Sequence, residues 1–169
     1  MSTLVNGKIG ARIPGIDLRI KEKLSFTSTC ELSESLIKLF TYSFWAVTEQ
    51  LDEENLLEDD KSIASVTCIA IDTDEFTIKL DDDQLGMTIS VAIYPVHKWG
   101  KLSDISICVA IIEELCHHYW RISDEVEVNF KVIKILGKIF PNVKMSDVYN
   151  TEWMNEELKK QGKVTIKFS

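Results

Sequence analysis

The segment Ile112-Glu113-Glu114-Leu115-Cys116-His117-His118-Tyr119-Trp120 sets two carboxylates and two imidazoles one helical turn apart inside a strongly apolar run. On a wheel advancing about 100° per residue, Ile105, Cys108, Val109, Ile111, Ile112, Leu115, Cys116, Tyr119, Trp120 and Ile122 cover more than half of the circumference. A helix covered in this way is largely buried. Ala110, Glu113, Glu114, His117, His118 and Arg121 fall on the remaining arc, so four side chains able to hold a proton or a cation share one seam. Glu113 and His117 are i, i+4 neighbours, as are Glu114 and His118, while Glu114 and His117 are i, i+3. A polar stripe held by Glu–His pairs would account for this spacing. A chemical site would also account for two of only three histidines lying on the most buried helix.

Working outward, Ser103 and Asp104 supply a helix N-cap and a favourable first-turn charge, and the helix should run to about Arg121. Ser123 should cap a second helix through about Phe140, stopped by Pro141, and Asp147 to Lys160 reads as a shorter third. Upstream, Val66 to Ile71, Phe76 to Leu80 and Met87 to Tyr94 are strand-like, the first two separated by the turn-like Asp72-Thr73-Asp74-Glu75. Together they suggest an antiparallel meander. Residues 17 to 26 alternate as a half-exposed strand. Ser33 to Leu51 places Leu36, Leu39, Phe40, Phe44, Val47 and Leu51 on one face of an amphipathic helix, with Trp45 at its edge. Val164, Ile166 and Phe168 alternate again as a last strand. The expectation is a single α+β domain over residues 1 to 169, a small, mainly antiparallel sheet with packed helices.

At 169 residues the chain can bury a core without disulfides or metal. Cys30, Cys68, Cys108 and Cys116 form no C-x-x-C pair and read as reduced thiols of a cytoplasmic protein. Met1 to Gly10 lacks a signal-peptide core, and no stretch reaches the roughly 18 apolar residues of a membrane span. Net charge is −8, but residues 49 to 83 hold 13 of the 27 acidic side chains against two lysines, Lys61 and Lys79, a balance of −11 that leaves +3 for the remainder. Such a chain repels phosphate backbones, which disfavours nucleic acid as a partner. Asp52-Glu53-Glu54, Glu58-Asp59-Asp60 and Asp81-Asp82-Asp83 are solvated loops or a surface for a basic protein partner. The last of these lacks the glycine and ligand spacing of a calcium loop.

In its local pattern the central helix resembles that of the zincin metallopeptidases, whose H-E-x-x-H binds zinc through two histidines and uses the glutamate as general base. Here Glu114-Leu115-Cys116-His117 matches the last four positions, and Glu113 stands where the first histidine is usual. A small sheet followed by this helix also looks like that family. His117-His118 followed by Tyr119-Trp120 and an acidic helix start is similar to small zincin domains of phage and mobile-element proteases.

The resemblance implies Glu114 as general base, with His117 and Glu113 as zinc ligands and a third ligand from the next helix. Glu127 shares a face with Lys131, Lys134 and Lys138, and reads as a solvent-side pair with Lys131. Glu125 and Asn129 fall near Val132 and Leu136 on the inward face, so Glu125 is the expected third ligand, with Asn129 orienting it. Complementing the helix dipole is the other role open to Asp124 and Glu125. The gap from His117 to Glu125 is shorter than the zincin norm, and Ser123 occupies the place of the alternative third histidine. A carboxylate at position 113 should also make the metal a poorer Lewis acid.

Two functions are therefore expected. One is a metal-dependent peptidase or hydrolase that takes extended substrate along a strand edge. The other is a catalytically inactive interaction or regulatory module whose acidic surface binds a basic protein. A carboxylate-bridged di-iron site would need a second E-x-x-H, which the chain lacks. Cys116 turns into the apolar face, and His97 reads as a loop residue.

Overall fold

The computed structural model describes residues 4–5, 13–58, 63–75, 78–79 and 90–168. Among these, β2 (Leu24–Ser28), β3 (Val66–Ile71) and β5 (Ser90–Pro95) form a three-stranded sheet in the order β2-β3-β5, and both ladders are parallel. This overturns the expected antiparallel meander. The physical reason lies in β3 itself: Val66-Thr67-Cys68-Ile69-Ala70-Ile71 is an almost unbroken apolar run, buried on both faces, as central strands of parallel sheets are. Residues 72 to 75 therefore do not make a hairpin to a sheet neighbour. The short β4 (Ile78–Lys79) pairs antiparallel with β1 (Leu4–Val5) in a separate two-stranded ladder. The remainder of the 76–80 strand reading, and residues 87 to 89 of the next, lie outside the described residues.

Register explains how helices approach the sheet. Phe26, Cys68 and Ala92 form one cross-strand row, and Ser28, Ala70 and Tyr94 the next. Small side chains at the centre leave room for α1 (Glu34–Glu53) and α2 (Asp104–Tyr119), both of which contribute to the main core. Phe40 of α1 is its hub. Its ring lies 5.1 Å from Phe26, 5.4 Å from Tyr94 and 5.9 Å from Trp99. Tyr94 donates its hydroxyl to the Ile111 carbonyl at 3.0 Å, which fixes α2 across β5 without leaving a buried donor unpaired. Ile69 and Ile71, with Val91 and Ile93, form a smaller apolar cluster of their own.

Helix ends follow local chemistry. Ser33 and Ser103 cap α1 and α2 through bonds to Leu36 and Ser106. α3 (Glu125–Leu136) is capped by Asp124 rather than Ser123, its carboxylate accepting from the Glu127 N–H at 2.8 Å. The expected helix over 147 to 160 is two pieces, α4 (Met145–Val148) and α5 (Thr151–Lys160), because Tyr149 is extended and Asn150 caps the second piece. Residues 17 to 26 open with a 3-10 turn, Leu18–Ile20, before β2 begins. Residues 163–168 form no strand and join no ladder, against the expected last strand; the Asn155 amide brackets the Ile166 backbone instead, with bonds of 2.8 and 2.9 Å. Cys68, Cys108 and Cys116 are buried free thiols and Cys30 is half-buried. No helix among the described residues is long and apolar enough to cross a membrane.

Part of the acidic window is paired with bases. Arg19 bonds Asp17, Glu49 and Asp52, Lys138 binds Glu53, and Lys131 reaches Glu54 at 3.0 Å rather than pairing with Glu127. Glu54 also accepts from Gln50 and from the Trp120 indole, while Lys131 lies over the Trp120 ring. Burial pushes the Glu54 carboxyl up, but hydrogen bonds from Gln50, Lys131 and Trp120, with the lysine charge, more than offset this and hold it below the usual range. These bonds tie the end of α1 to α2 and α3. Glu54→Ala is expected to lower unfolding free energy by about 1–2 kcal/mol at neutral pH, read from urea midpoints. A carboxylate with a depressed folded pKa adds stability above its unfolded pKa and loses it as pH falls through the folded one. The difference between wild type and variant should accordingly vanish in acid, below the ordinary glutamate range.

Candidate metal centre

The seam on α2 is split by the helix twist into two pairs with different surroundings. Glu114 and His118 turn toward the sheet: Glu114 lies against Ile93 and Tyr94, and burial, more than any neighbour, lowers the His118 pKa. Glu113 and His117 turn toward α3. A tight connection makes this possible. Trp120 ends the helix, Arg121 takes a left-handed conformation with φ 54°, and α3 starts at Glu125. The turn folds the Ile122 carbonyl back onto His117, where Nδ1 lies 2.6 Å from the oxygen. A carbonyl only accepts, so Nδ1 carries the proton and donates it there, and in the neutral ring Nε2 is left as the bare nitrogen. Fixing the far nitrogen on a backbone carbonyl is how histidine is commonly oriented as a metal ligand.

The same turn places Glu125 at the first position of α3. One ligand atom from each of Glu113, His117 and Glu125 lies within 4.8 Å of the other two, with Glu113 and His117 half-buried and Glu125 exposed. The three residues predicted from sequence as metal ligands are thus brought together. Ligand atoms about 2.0–2.2 Å from a tetrahedral zinc stand about 3.4 Å apart, a spacing that modest rotation of two glutamate side chains would reach. One imidazole nitrogen with two carboxylate oxygens is a donor set that zinc accepts. Burial, then the neighbouring Glu125 charge, raises the Glu113 pKa, while His117 acts against the rise.

A further residue enters from the α4–α5 break. The Tyr149 hydroxyl is enclosed and has no hydrogen-bond partner among the described residues. Burial first, then the charges of Glu113, Cys116 and Glu125, pushes its pKa well up. An unpaired buried hydroxyl costs about 1–3 kcal/mol, and this one lies within electrostatic reach of the two carboxylates. Sequence reading placed Tyr149 inside a helix and missed it. The available signal was Asn150-Thr151-Glu152, a cap followed by an acid, which starts a new helix and leaves Tyr149 outside it.

Other expectations resolve differently. Asn129 is inward-facing and only 5 % exposed, but its amide forms no bond to Glu125. Asp124 is engaged as the helix cap and by Gln161 at 2.7 Å, so it does not join the cluster. Glu114 borders a cavity of about 270 Å³ with Ile93, Tyr94, Pro95, Trp99, Ala110 and Glu113. His97 lies away from the centre, between the Ile71 carbonyl and Asp74. Burial pushes the Cys68 thiol up to about 12 and raises Cys116 further, so neither is poised as a nucleophile.

No family model, curated protein or solved structure matches this chain. A half-buried carboxylate, Glu113, facing the exposed carboxylate of Glu125 opposes folding when no cation lies between them. Glu113→Gln is therefore expected to stabilise the chelator-treated protein by about 1 kcal/mol, measured by urea unfolding. A loss of stability would show that the carboxylate is a structural partner instead.

Proposed function

We propose that this chain is a zincin-like metal-binding domain that hydrolyses peptide bonds with a variant ligand set, Glu113, His117 and Glu125 holding zinc and Glu114 serving as general base. The observation that carries this reading is the convergence of two carboxylates, Glu113 and Glu125, on a histidine whose Nδ1 is already committed to the Ile122 carbonyl. When bound, zinc supplies Lewis acidity toward a carbonyl oxygen and makes water more acidic.

The remaining work falls to the chain's own groups. Glu114, on the cavity wall beside Glu113, accepts a proton from the attacking water at a carboxylate oxygen and returns it to the leaving amine. Tyr149 offers its unengaged hydroxyl proton to the oxygen on which negative charge develops. The outer edge of β5 has no ladder partner among the described residues, so an extended peptide can lie along it. Two carboxylate ligands neutralise a divalent ion where a two-histidine site would leave it charged. Slow turnover follows from that substitution.

Protein purified without chelator should carry about one zinc per chain by elemental analysis. Glu113→Ala, His117→Ala and Glu125→Ala should each weaken zinc binding more than about 100-fold, beyond the effect of losing an outer partner. Glu114→Gln should keep zinc and lose about 10²–10⁴-fold in peptide hydrolysis, and Tyr149→Phe about 10²-fold. Unchanged metal content in the Glu113 and His117 variants would remove the site altogether.

A further inference from the structure

We infer that this chain associates head to tail, the basic C-terminal arm of one copy docking on the acidic, aromatic outer face of α1 in the next. Neither surface includes a residue of the metal centre.

Exposed apolar side chains locate the two surfaces. Eight large apolar residues stand out in solvent among the described residues. Four of them, Ile13, Leu18, Tyr42 and Trp45, belong to α1 and the segment laid along it, and Val164 and Ile166 belong to the C-terminal arm. The segment is fastened to α1 at two points. The Gly15 N–H donates to Thr41 Oγ1 at 3.1 Å, and Arg19 reaches Glu49 and Asp52. These anchors lie about two turns apart, on either side of Trp45, and Tyr42 is one turn before it on the same exposed face. Aromatic rings gathered beside charge are the composition of a protein interface. Asp17, Glu49 and Asp52 surround the one Arg19 guanidinium, three carboxylates against a single cation, so a balance of −2 is left next to Trp45.

The arm has the opposite chemistry. Residues 159 to 169 contain four lysines and no acid, in a chain of net charge −8. Lys160 is paired with Glu157, while Lys159, Lys163 and Lys167 are exposed. Gly162, with φ 70°, turns the chain back after α5, and the Lys163 N–H closes on the Leu158 carbonyl at 2.8 Å. Beyond that turn the Asn155 amide holds both backbone groups of Ile166, and the Phe168 ring stacks on Phe130. Val164, 87 % exposed, is thus displayed on an arm already fixed at three points, and docking it costs little further ordering. Lysine ammonium groups suit both the carboxylates beside Trp45 and the aromatic faces. Val164 and Ile166 supply the apolar contact.

Charge excludes the two-fold alternatives. Two arms face to face would set lysine against lysine, and two α1 faces would oppose −2 with −2. Arm on face is the joint that matches, and a heterologous joint leaves one unused arm and one unused face on every dimer, so association continues.

Sedimentation of the full chain over a wide concentration range tests this. Average mass should climb past that of a dimer, and should fall as salt rises from about 0.1 M to 1 M, where the screening length shortens from about 10 Å to about 3 Å. Trp45→Ser and Val164→Glu, both at exposed positions, should each leave a monomer. Their equimolar mixture should stop at a dimer, because one intact face meets one intact arm. Tyr42→Ser and Lys167→Glu stand in for a variant whose circular dichroism shows that it does not fold. A labelled peptide of residues 159 to 169 should bind the Val164→Glu chain, and adding Trp45→Ser should weaken it about tenfold or more, as loss of an aromatic anchor does. A wild-type chain that stays monomeric would overturn the proposal, as would a mixture that stays monomeric or grows beyond a dimer. Continued association of either single variant would do the same. Equal binding of a scrambled peptide of the same charge would overturn the arm as the occupant.

Discussion

The bond from His117 Nδ1 to the Ile122 carbonyl is the constraint on which the candidate site depends. It closes the connection between α2 and α3, and a residue without glycine's freedom, Arg121, is held in the left-handed region to allow it. Such a conformation costs roughly 1–2 kcal/mol, and the surrounding contacts must compensate. The Trp120 indole and Lys131 converge on Glu54, while Ile122 packs into the main core. One backbone geometry therefore sets the imidazole tautomer and brings Glu125 to α2 together. Remote tethers keep the two helices from sliding past each other.

Energetically the centre works against the fold around it. Glu113 and Glu125 share a space with the shielded Tyr149 hydroxyl, and none of the three groups is satisfied by another. Elsewhere the protein pairs its charges closely, as Arg19 does with three carboxylates. Unpaired buried polar atoms also occur on α1, at Ser43 and Gln50, so what distinguishes this cluster is that its unpaired hydroxyl lies near two carboxylates.

Much of this was legible in the residues. The 3.6-residue periodicity of α1, α2 and α3 is strong, and the helix wheel placed Asn129 with Val132 and Leu136 on the buried face, whereas Glu125, read as inward, is exposed like Glu127 because it stands at the first position of α3. Strand direction was harder to read. Local alternation does not encode which neighbour a strand takes, and the turn-like residues 72 to 75 suggested a hairpin. The doubly buried composition of β3 carried the correct answer. Tyr149 was obscured by a helical pattern that runs through a break only two residues long. The partition of the seam on α2 was hidden too, because adjacent positions lie about 100° apart, and only packing shows that one pair meets the sheet and the other meets α3.

The distribution of thiols has a practical consequence. Cys68 lies at the centre of the sheet, Cys108 and Cys116 on the buried face of α2, and Cys30 alone is within partial reach of solvent. Alkylating reagents act on thiolates, so three of the four sulfurs are silent in the folded state and become reactive when the sheet and its covering helix separate. The chain thus contains its own clock for opening, in which the modification rate of the silent sulfurs follows separation of those layers while Cys30 supplies an internal reference for reagent activity.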